Sequence, residues 1–258
     1  MGIHQIDINC DLGESFGCYR LGDDERVLEL VSSANVACGF HAGDPSVMRA
    51  TVRAARAHHV SVGAHPGYPD LAGFGRREMR IEPGELRDLL IYQIGALEAI
   101  ARSEGVRLLH VKAHGALYNM AAGDVALADA IVEATAACDP QLILFGMAGS
   151  QLESAAKRRG LCFAREGFAD RTYQRDGTLT PRSKPAAFVH EPEAAAERAV
   201  RMVRDGKVET VDGSTISIEC ETICLHGDNP RALEFLQCLR RRFEREGVRI
   251  VPVAEMLR

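Results

Sequence analysis

Apolar and polar positions change their spacing repeatedly along this chain. Runs of period two, such as Gln5 to Cys10, give way to runs with apolar residues three and four apart, as from about Asp23 to Ser33. Further strands are expected at Asn35 to Phe40, Val60 to Ala64, Leu108 to Ala113, Leu142 to Gly146, Leu161 to Glu166, Thr222 to Leu225 and Val248 to Val251, with helical patterns between most of them. Asp44-Pro45, Glu82-Pro83 and Asn229-Pro230 mark helix starts, because a polar side chain caps free amides and proline fits the first turn. Gly105, Gly160 and Gly247 mark helix stops. Strand, helix, strand in this order predicts parallel pairing with right-handed crossovers. The expected class is therefore α/β, a (β/α) barrel forming one domain over residues 1–258. An open doubly wound sheet is the alternative, although no G-x-G-x-x-G follows the first strand to support a Rossmann sheet. Two stretches break the rhythm and are expected as insertions: a polar one near 167–184, and one near 207–220 that reads as a hairpin.

Composition narrows the function classes. A length of 258 residues suits one barrel of roughly 250. With 31 basic residues mixed among 36 acidic ones and a net charge of -5, no broad positive field is available for nucleic acid, so small molecules or proteins are the expected partners. No apolar run reaches the roughly 18 to 20 residues that cross a bilayer, and Met1 to Gln5 shows no basic region followed by an apolar stretch. A cytoplasmic location without membrane attachment is expected. The eight cysteines are dispersed without a C-x-x-C pair, which argues against a structural zinc site and for small buried side chains.

Strand parity locates the chemistry. Asp7, Asn9 and Asp11 share one strand face while Ile6, Ile8 and Cys10 share the other. Helices would cover the apolar face, leaving the polar one inside the barrel. The same reading groups Ala37, Gly39 and His41; Ser61, Gly63 and His65; His110, Lys112 and His114; and Thr222, Cys224, His226 and Asp228. One histidine or aspartate at a strand end is ordinarily a cap or a satisfied polar group. Several ionisable groups delivered to one barrel end are costly to bury without function, and the carboxyl end of a barrel is where such groups serve catalysis. Around Gly13, Asn9, Asp11 and Glu14 offer a base, a metal ligand or an Asx turn. Asp44 reads as a helix cap, with His41 the functional group of its loop, and His110 lies deepest and reads as structural. The two histidines and the lysine of His110 to His114 suit an anion beside a proton carrier. Carboxylates and guanidiniums follow at Glu166, Asp170, Arg171 and Arg182, where a surface salt-bridge loop is the plain alternative. Tyr68, Asp70, Arg76 and Arg77 fall in a Gly- and Pro-rich loop that reads equally as a lid or an irregular connection. No P-loop motif is present.

At these residues the sequence resembles the LamB/YcsF family almost from end to end. The resemblance is carried by Asp7-Ile8-Asn9-Cys10-Asp11-Leu12-Gly13-Glu14, Ala37 to Pro45, Gly63-Ala64-His65-Pro66, His110-Val111-Lys112, His114 to Asn119, Phe168-Ala169-Asp170-Arg171 and His226-Gly227-Asp228. Ala113 and Asn229 depart from residues frequent in the family, without removing a candidate catalytic group. The resemblance implies an irregular seven-stranded TIM-like barrel of the glycoside hydrolase and deacetylase type. It implies cleavage of the lactam 5-oxoproline to glutamate, coupled to ATP hydrolysis as co-substrate of a complex with 5-oxoprolinase subunits B and C. In that chemistry the expected catalytic set is Asp11, Glu14, His41, His65, His114 and His226, with Asp11 or Glu14 as base and His114 or His226 as proton donor. Asn9, Lys112, Arg171, Asp170 and Asp228 are expected to bind substrate. No metal is expected; were one present, Asp11, His41 and His65 would hold it, as in a metal-dependent deacetylase-like amide hydrolase. The remaining alternative is a noncatalytic lactam-binding subunit, against which the dense acid and base set argues.

Overall fold

The computed structural model describes residues 4–227 and 229–257. Seven parallel strands close into a barrel in the order β1 (Gln5–Leu12), β2 (Ser33–Ala37), β3 (Ser61–His65), β4 (Leu108–Lys112), β5 (Ile143–Met147), β6 (Phe163–Phe168) and β9 (Thr222–His226), and β9 returns to pair with β1. The strands β7 (Lys207–Glu209) and β8 (Thr215–Ser217) form the antiparallel hairpin expected near 207–220. The last run that reads as a strand, β10 (Arg249–Ile250), lies outside the ring, beside the first residues of β1. A register shift between Val62 and Gly63 makes the β3–β4 seam irregular.

Helices α1 (Asp24–Leu28), α2 (Pro45–Ala57), α3 (Pro83–Ser103), α4 (Gly115–Gly123), α5 (Val125–Cys138), α6 (Gln151–Arg159), α7 (Pro192–Asp205), α8 (Ala232–Arg245) and α9 (Val253–Leu257) follow the strands. Their apolar stripes, such as Met48, Val52 and Ala55 on α2, join Ile6, Ile8, Val36 and Val62 from the strands in the main core. No described helix is long and apolar enough to cross a membrane.

Two early elements are shorter than their sequence pattern. The expected helix from Asp23 ends at Leu28, because Ser32 Oγ donates to Asp7 and Ser33 already pairs with Asn9. The next strand starts at Ser33 and stops at Ala37, where Gly39, at φ +91°, turns the chain and donates its N–H to Ala42.

Polar side chains fill the barrel axis, as parity predicts. At the amino end, Asp7 accepts from Ser32 Oγ (2.7 Å), Ser33 Oγ (2.7 Å) and Thr222 Oγ1 (2.5 Å). Asn9 donates to Glu166 and Thr222, and Asn35 donates to Asn9 and Asp11. His110 meets Asn35 Oδ1 at 2.8 Å and stacks on Phe145, and a Cβ at Gly63 would overlap its ring.

Gly63→Ala is therefore expected to destabilise the fold by about 2 kcal/mol or more through overpacking. His110→Ala in the same chain should recover part of that loss, which urea denaturation of the two single variants and the double variant would measure.

A second expectation concerns pH. Burial pushes the Asp7 carboxyl up from 3.8 to about 6, against the pull of its hydroxyl donors. The folded state thus holds a proton that the unfolded chain releases earlier, so this contribution is full below 3.8 and is lost as pH rises through about 6. Relative to Asp7→Asn, the natural chain should lose stability as pH rises from 3.8 to about 6 and change little above that, read from urea midpoints; a constant difference across the window would refute it.

Candidate functional site

The carboxyl ends of the strands converge on one buried cation. Lys112, at the end of β4, is 3% exposed, and its Nζ lies 2.9 Å from both Asp11 Oδ1 and Glu166 Oε1. It also donates to Asn9 Oδ1 at 3.2 Å and to Cys224 Sγ at 3.0 Å. Burial works to neutralise the ammonium, but Asp11, Cys224 and Glu166 hold its pKa well above the usual lysine value. Burial likewise works to protonate Asp11, and there His65 and Lys112 prevail, keeping the carboxyl well below the usual range. Asp11 is therefore ionised at neutral pH.

Two histidine groups flank Asp11 and differ in environment. On one side, at the end of β9, His226 Nδ1 lies 3.0 Å from Asp170 Oδ2. A carboxylate only accepts, so Nδ1 carries the hydrogen and Nε2 is left for chemistry. Burial opposes ionisation of Asp170, and His226 and Arg171 overcome it, so its pKa lies below the usual value.

On the other side, His65 Nδ1 meets the Lys112 carbonyl at 2.7 Å, and His114 Nδ1 meets His65 Nε2 at 2.9 Å. His114 Nε2 meets the Phe74 carbonyl at 2.8 Å, and His41 stacks on His114 with ring centroids 3.7 Å apart. Burial, reinforced by neighbouring imidazoles, holds both His41 and His114 well below the usual histidine pKa. Glu14 Oε1 lies 3.5 Å from His41 Nε2 and 3.9 Å from His114 Nδ1.

The loop after β3 packs on this group and is hydrogen-bonded to β4's end and to α3. His114 N–H donates to Pro66 O, Gly67 N–H to Gln93 Oε1, and Asp70 pairs with Arg77. Phe74, at φ +55°, takes a left-handed conformation that aims its carbonyl at His114. Gly75, at φ +63°, allows the backbone to lie where a Cβ would come within 2.8 Å of both His41 and His114.

A cavity of about 40 Å³ opens at this barrel end, lined by Asp11, His65, Lys112, His114, Tyr118, Phe168 and His226, with Arg76, Arg171 and Arg182 around it. Neighbouring spaces of about 490 Å³ and 310 Å³ share the Arg182 wall. The expected residues thus separate by position. Asp11, His65, His114, His226 and Lys112 reach the cavity, while His41 is fully buried and Asn9 lies deeper on the axis. Arg171 lines the cavity, but its Nε and Nη2 donate to the carbonyls of Ala187 and Thr180, anchoring the loop after β6. Asp228 lies outside the described residues.

The ligand grouping departs from the expected Asp11, His41 and His65. Side-chain donor atoms of Glu14, His41, His65 and His114 all lie within 4.8 Å of one another, whereas Asp11 groups with Cys224 and His226. The cause is Lys112 and Asn35, which draw Asp11 Oδ1 toward the barrel axis.

Two residues of the site, Asn35 and Tyr118, do not stand out in the sequence, and a third, Glu166, stands out there only as one carboxylate of a charged insertion. Asn35 shares the inward parity of Ala37, which is the signal that could find it. Glu166 reads with the polar stretch after it, but β6 runs on to Phe168 and carries it into the axis. Tyr118 comes from α4, where strand parity says nothing; burial first, then Glu166, push its hydroxyl pKa well up.

Known proteins share both this sequence and this barrel. Residues 6–258 match the LamB/YcsF family. A protein of Bordetella pertussis, named as the A subunit of 5-oxoprolinase, is 58% identical over 245 residues, covering 95% of this chain and 97% of the relative. The crystal structure of a lactam utilization protein from Thermus thermophilus superposes with a TM-score of 0.91 at 47% identity, covering 96% of this chain and 99% of that one. A T48 deacetylase structure, at TM-score 0.50 and 12% identity over 98% of this chain and 90% of its own, shares the fold alone. The match over nearly the whole length makes this chain a member of the LamB/YcsF family.

Proposed function

We propose that this chain cleaves the lactam of 5-oxoproline to L-glutamate, as the A subunit of a 5-oxoprolinase in which subunits B and C supply ATP-driven activation. The observation that carries the reading is the ionised Asp11 beside the Asp170-backed His226 at one small cavity with a cationic wall. A lactam resists water because its amide is resonance-stabilised. Phosphorylation of the lactam oxygen by ATP removes that protection and leaves an electrophilic carbon in a C=N bond.

Water then adds to this carbon. Asp11 takes one water proton, and His226, doubly protonated against Asp170 at this point, gives its Nε2 proton to the ring nitrogen; as the C–N bond breaks, the adduct hydroxyl returns a proton to His226 and Asp11 passes its own to the departing nitrogen. Breaking the C–N bond opens the ring to an acyl phosphate, and a second water releases phosphate and glutamate. His226 suits the donor role better than His114, whose two nitrogens already face His65 and the Phe74 carbonyl. Asp11 suits the base role better than Glu14, which lies behind the cavity against His41. Lys112 keeps Asp11 ionised, which favours proton acceptance at neutral pH at the expense of basicity. Arg76, Arg171 and Arg182 provide positive charge for a carboxylate or phosphate.

Asp11→Asn keeps the side chain's size while removing the proton acceptor, and is expected to fold yet lose turnover by roughly 10²-fold or more. Circular dichroism and glutamate release by the reconstituted complex check both halves; near-natural turnover would exclude Asp11 as base.

The division of labour is tested by mixing the purified chain with subunits B and C in all combinations and measuring ADP and glutamate. Glutamate should form only in the complete mixture with ATP. Lactam opening by this chain with ATP alone would sink the proposal.

A further inference from the structure

Hydrogen-bond accounting in the histidine group leaves something missing. A carbonyl oxygen only accepts, so His65 Nδ1 and His114 Nε2, facing the Lys112 and Phe74 carbonyls, must both carry hydrogens. In neutral rings this leaves His65 Nε2 and His114 Nδ1 as lone-pair nitrogens, and they face each other at 2.9 Å. Two lone pairs at that separation repel, so a proton or a metal ion must lie between them.

His41 distinguishes the two. Its ring is fully buried, neither nitrogen has a hydrogen-bond partner, and Nε2 points toward Glu14 Oε1. A proton shared by His65 and His114 satisfies those two rings and leaves His41 as a buried orphan, at a cost of order 1–3 kcal/mol. A cation takes His41 Nε2 together with the inner nitrogens of His65 and His114 and the Glu14 carboxylate, whose donor atoms already converge within 4.8 Å, and leaves one orphaned nitrogen on His41, Nδ1, in place of two. Backing of an imidazole by a carbonyl on its outer nitrogen is how metal-binding histidines are oriented. Three nitrogens and one carboxylate favour a zinc-like ion over the all-oxygen surroundings that magnesium and calcium prefer.

We propose that Glu14, His41, His65 and His114 bind one divalent transition-metal ion of the zinc class. This replaces both the expectation of no metal and the alternative ligand set containing Asp11. Asp11 Oδ2, 3.4 Å from His65 Nε2, borders the ion from the cavity side. The site stands on these contacts alone and not on the reaction proposed above.

The test uses the full chain without an affinity tag, stripped with chelator and then loaded with Zn²⁺ or Co²⁺ and gel-filtered. About one ion per chain is expected by elemental analysis, with the visible absorption of cobalt held by nitrogen ligands. His41→Ala and His114→Ala should each weaken Zn²⁺ binding by roughly 10²-fold or more, measured by competition with a chromophoric chelator. His226→Gln, in the neighbouring group, should leave the stoichiometry unchanged. Circular dichroism establishes that the variants fold; if His114→Ala does not, His41→Ala and the cobalt spectrum of the natural chain decide. Failure of the natural chain to retain either ion overturns the proposal, as does retention undiminished in His41→Ala or lost only in His226→Gln. None of these readings depends on turnover, so they stand apart from the lactamase assay.

Discussion

The ammonium of Lys112 is the constraint on which the barrel end depends. A buried cation is severely destabilising unless paired and hydrogen-bonded, and here the partners come from three other strands: Asn9 and Asp11 on β1, Glu166 on β6 and Cys224 on β9. Closing the barrel is what brings those partners together, so ring closure and charge compensation stabilise one another. The backbone of the same residue matters too. Its carbonyl fixes the tautomer and orientation of His65, and so aims the inner nitrogen of that ring.

Asp11 divides the site into two halves of different chemistry. Toward β9, a histidine backed by a carboxylate stands at the cavity with one nitrogen available, an arrangement for moving protons. Toward β3, imidazoles pack face to face under Phe74 and Gly75, away from bulk water, an arrangement for holding a charge in place. The left-handed turn at Phe74 serves the second half, since it directs a carbonyl onto His114 that an ordinary extended residue would point elsewhere. The loop forms a wall of this half, hydrogen-bonded to its surroundings at Pro66, Gly67 and Gly75.

Alternation along strands is a local property, and it made the barrel legible. Asp7, Asn9 and Asp11 face inward because the pleat has period two and Ile6, Ile8 and Cys10 must meet the helices. The same rule carried His65, Lys112 and His226 to the correct end. It failed at chain segments whose conformation is decided elsewhere: the helix after Asp23 is cut short by the pairing of Ser33 with β1, and Glu166 joins the axis because β6 extends to meet β9.

The sequence by itself therefore determined the alternation of elements, the inward polar faces and, through its resemblance, the family. Only the tertiary structure decided which inward groups touch. Parity assigns a face to each residue but says nothing of the rotation between neighbouring strands, and it cannot reach side chains that arrive from loops and helices. Asp11 goes to Lys112 rather than to His41, Glu14 goes to His41 and His114, and Arg171 turns to its own loop, because each contact is fixed by strand register and by competing partners tens or hundreds of residues away.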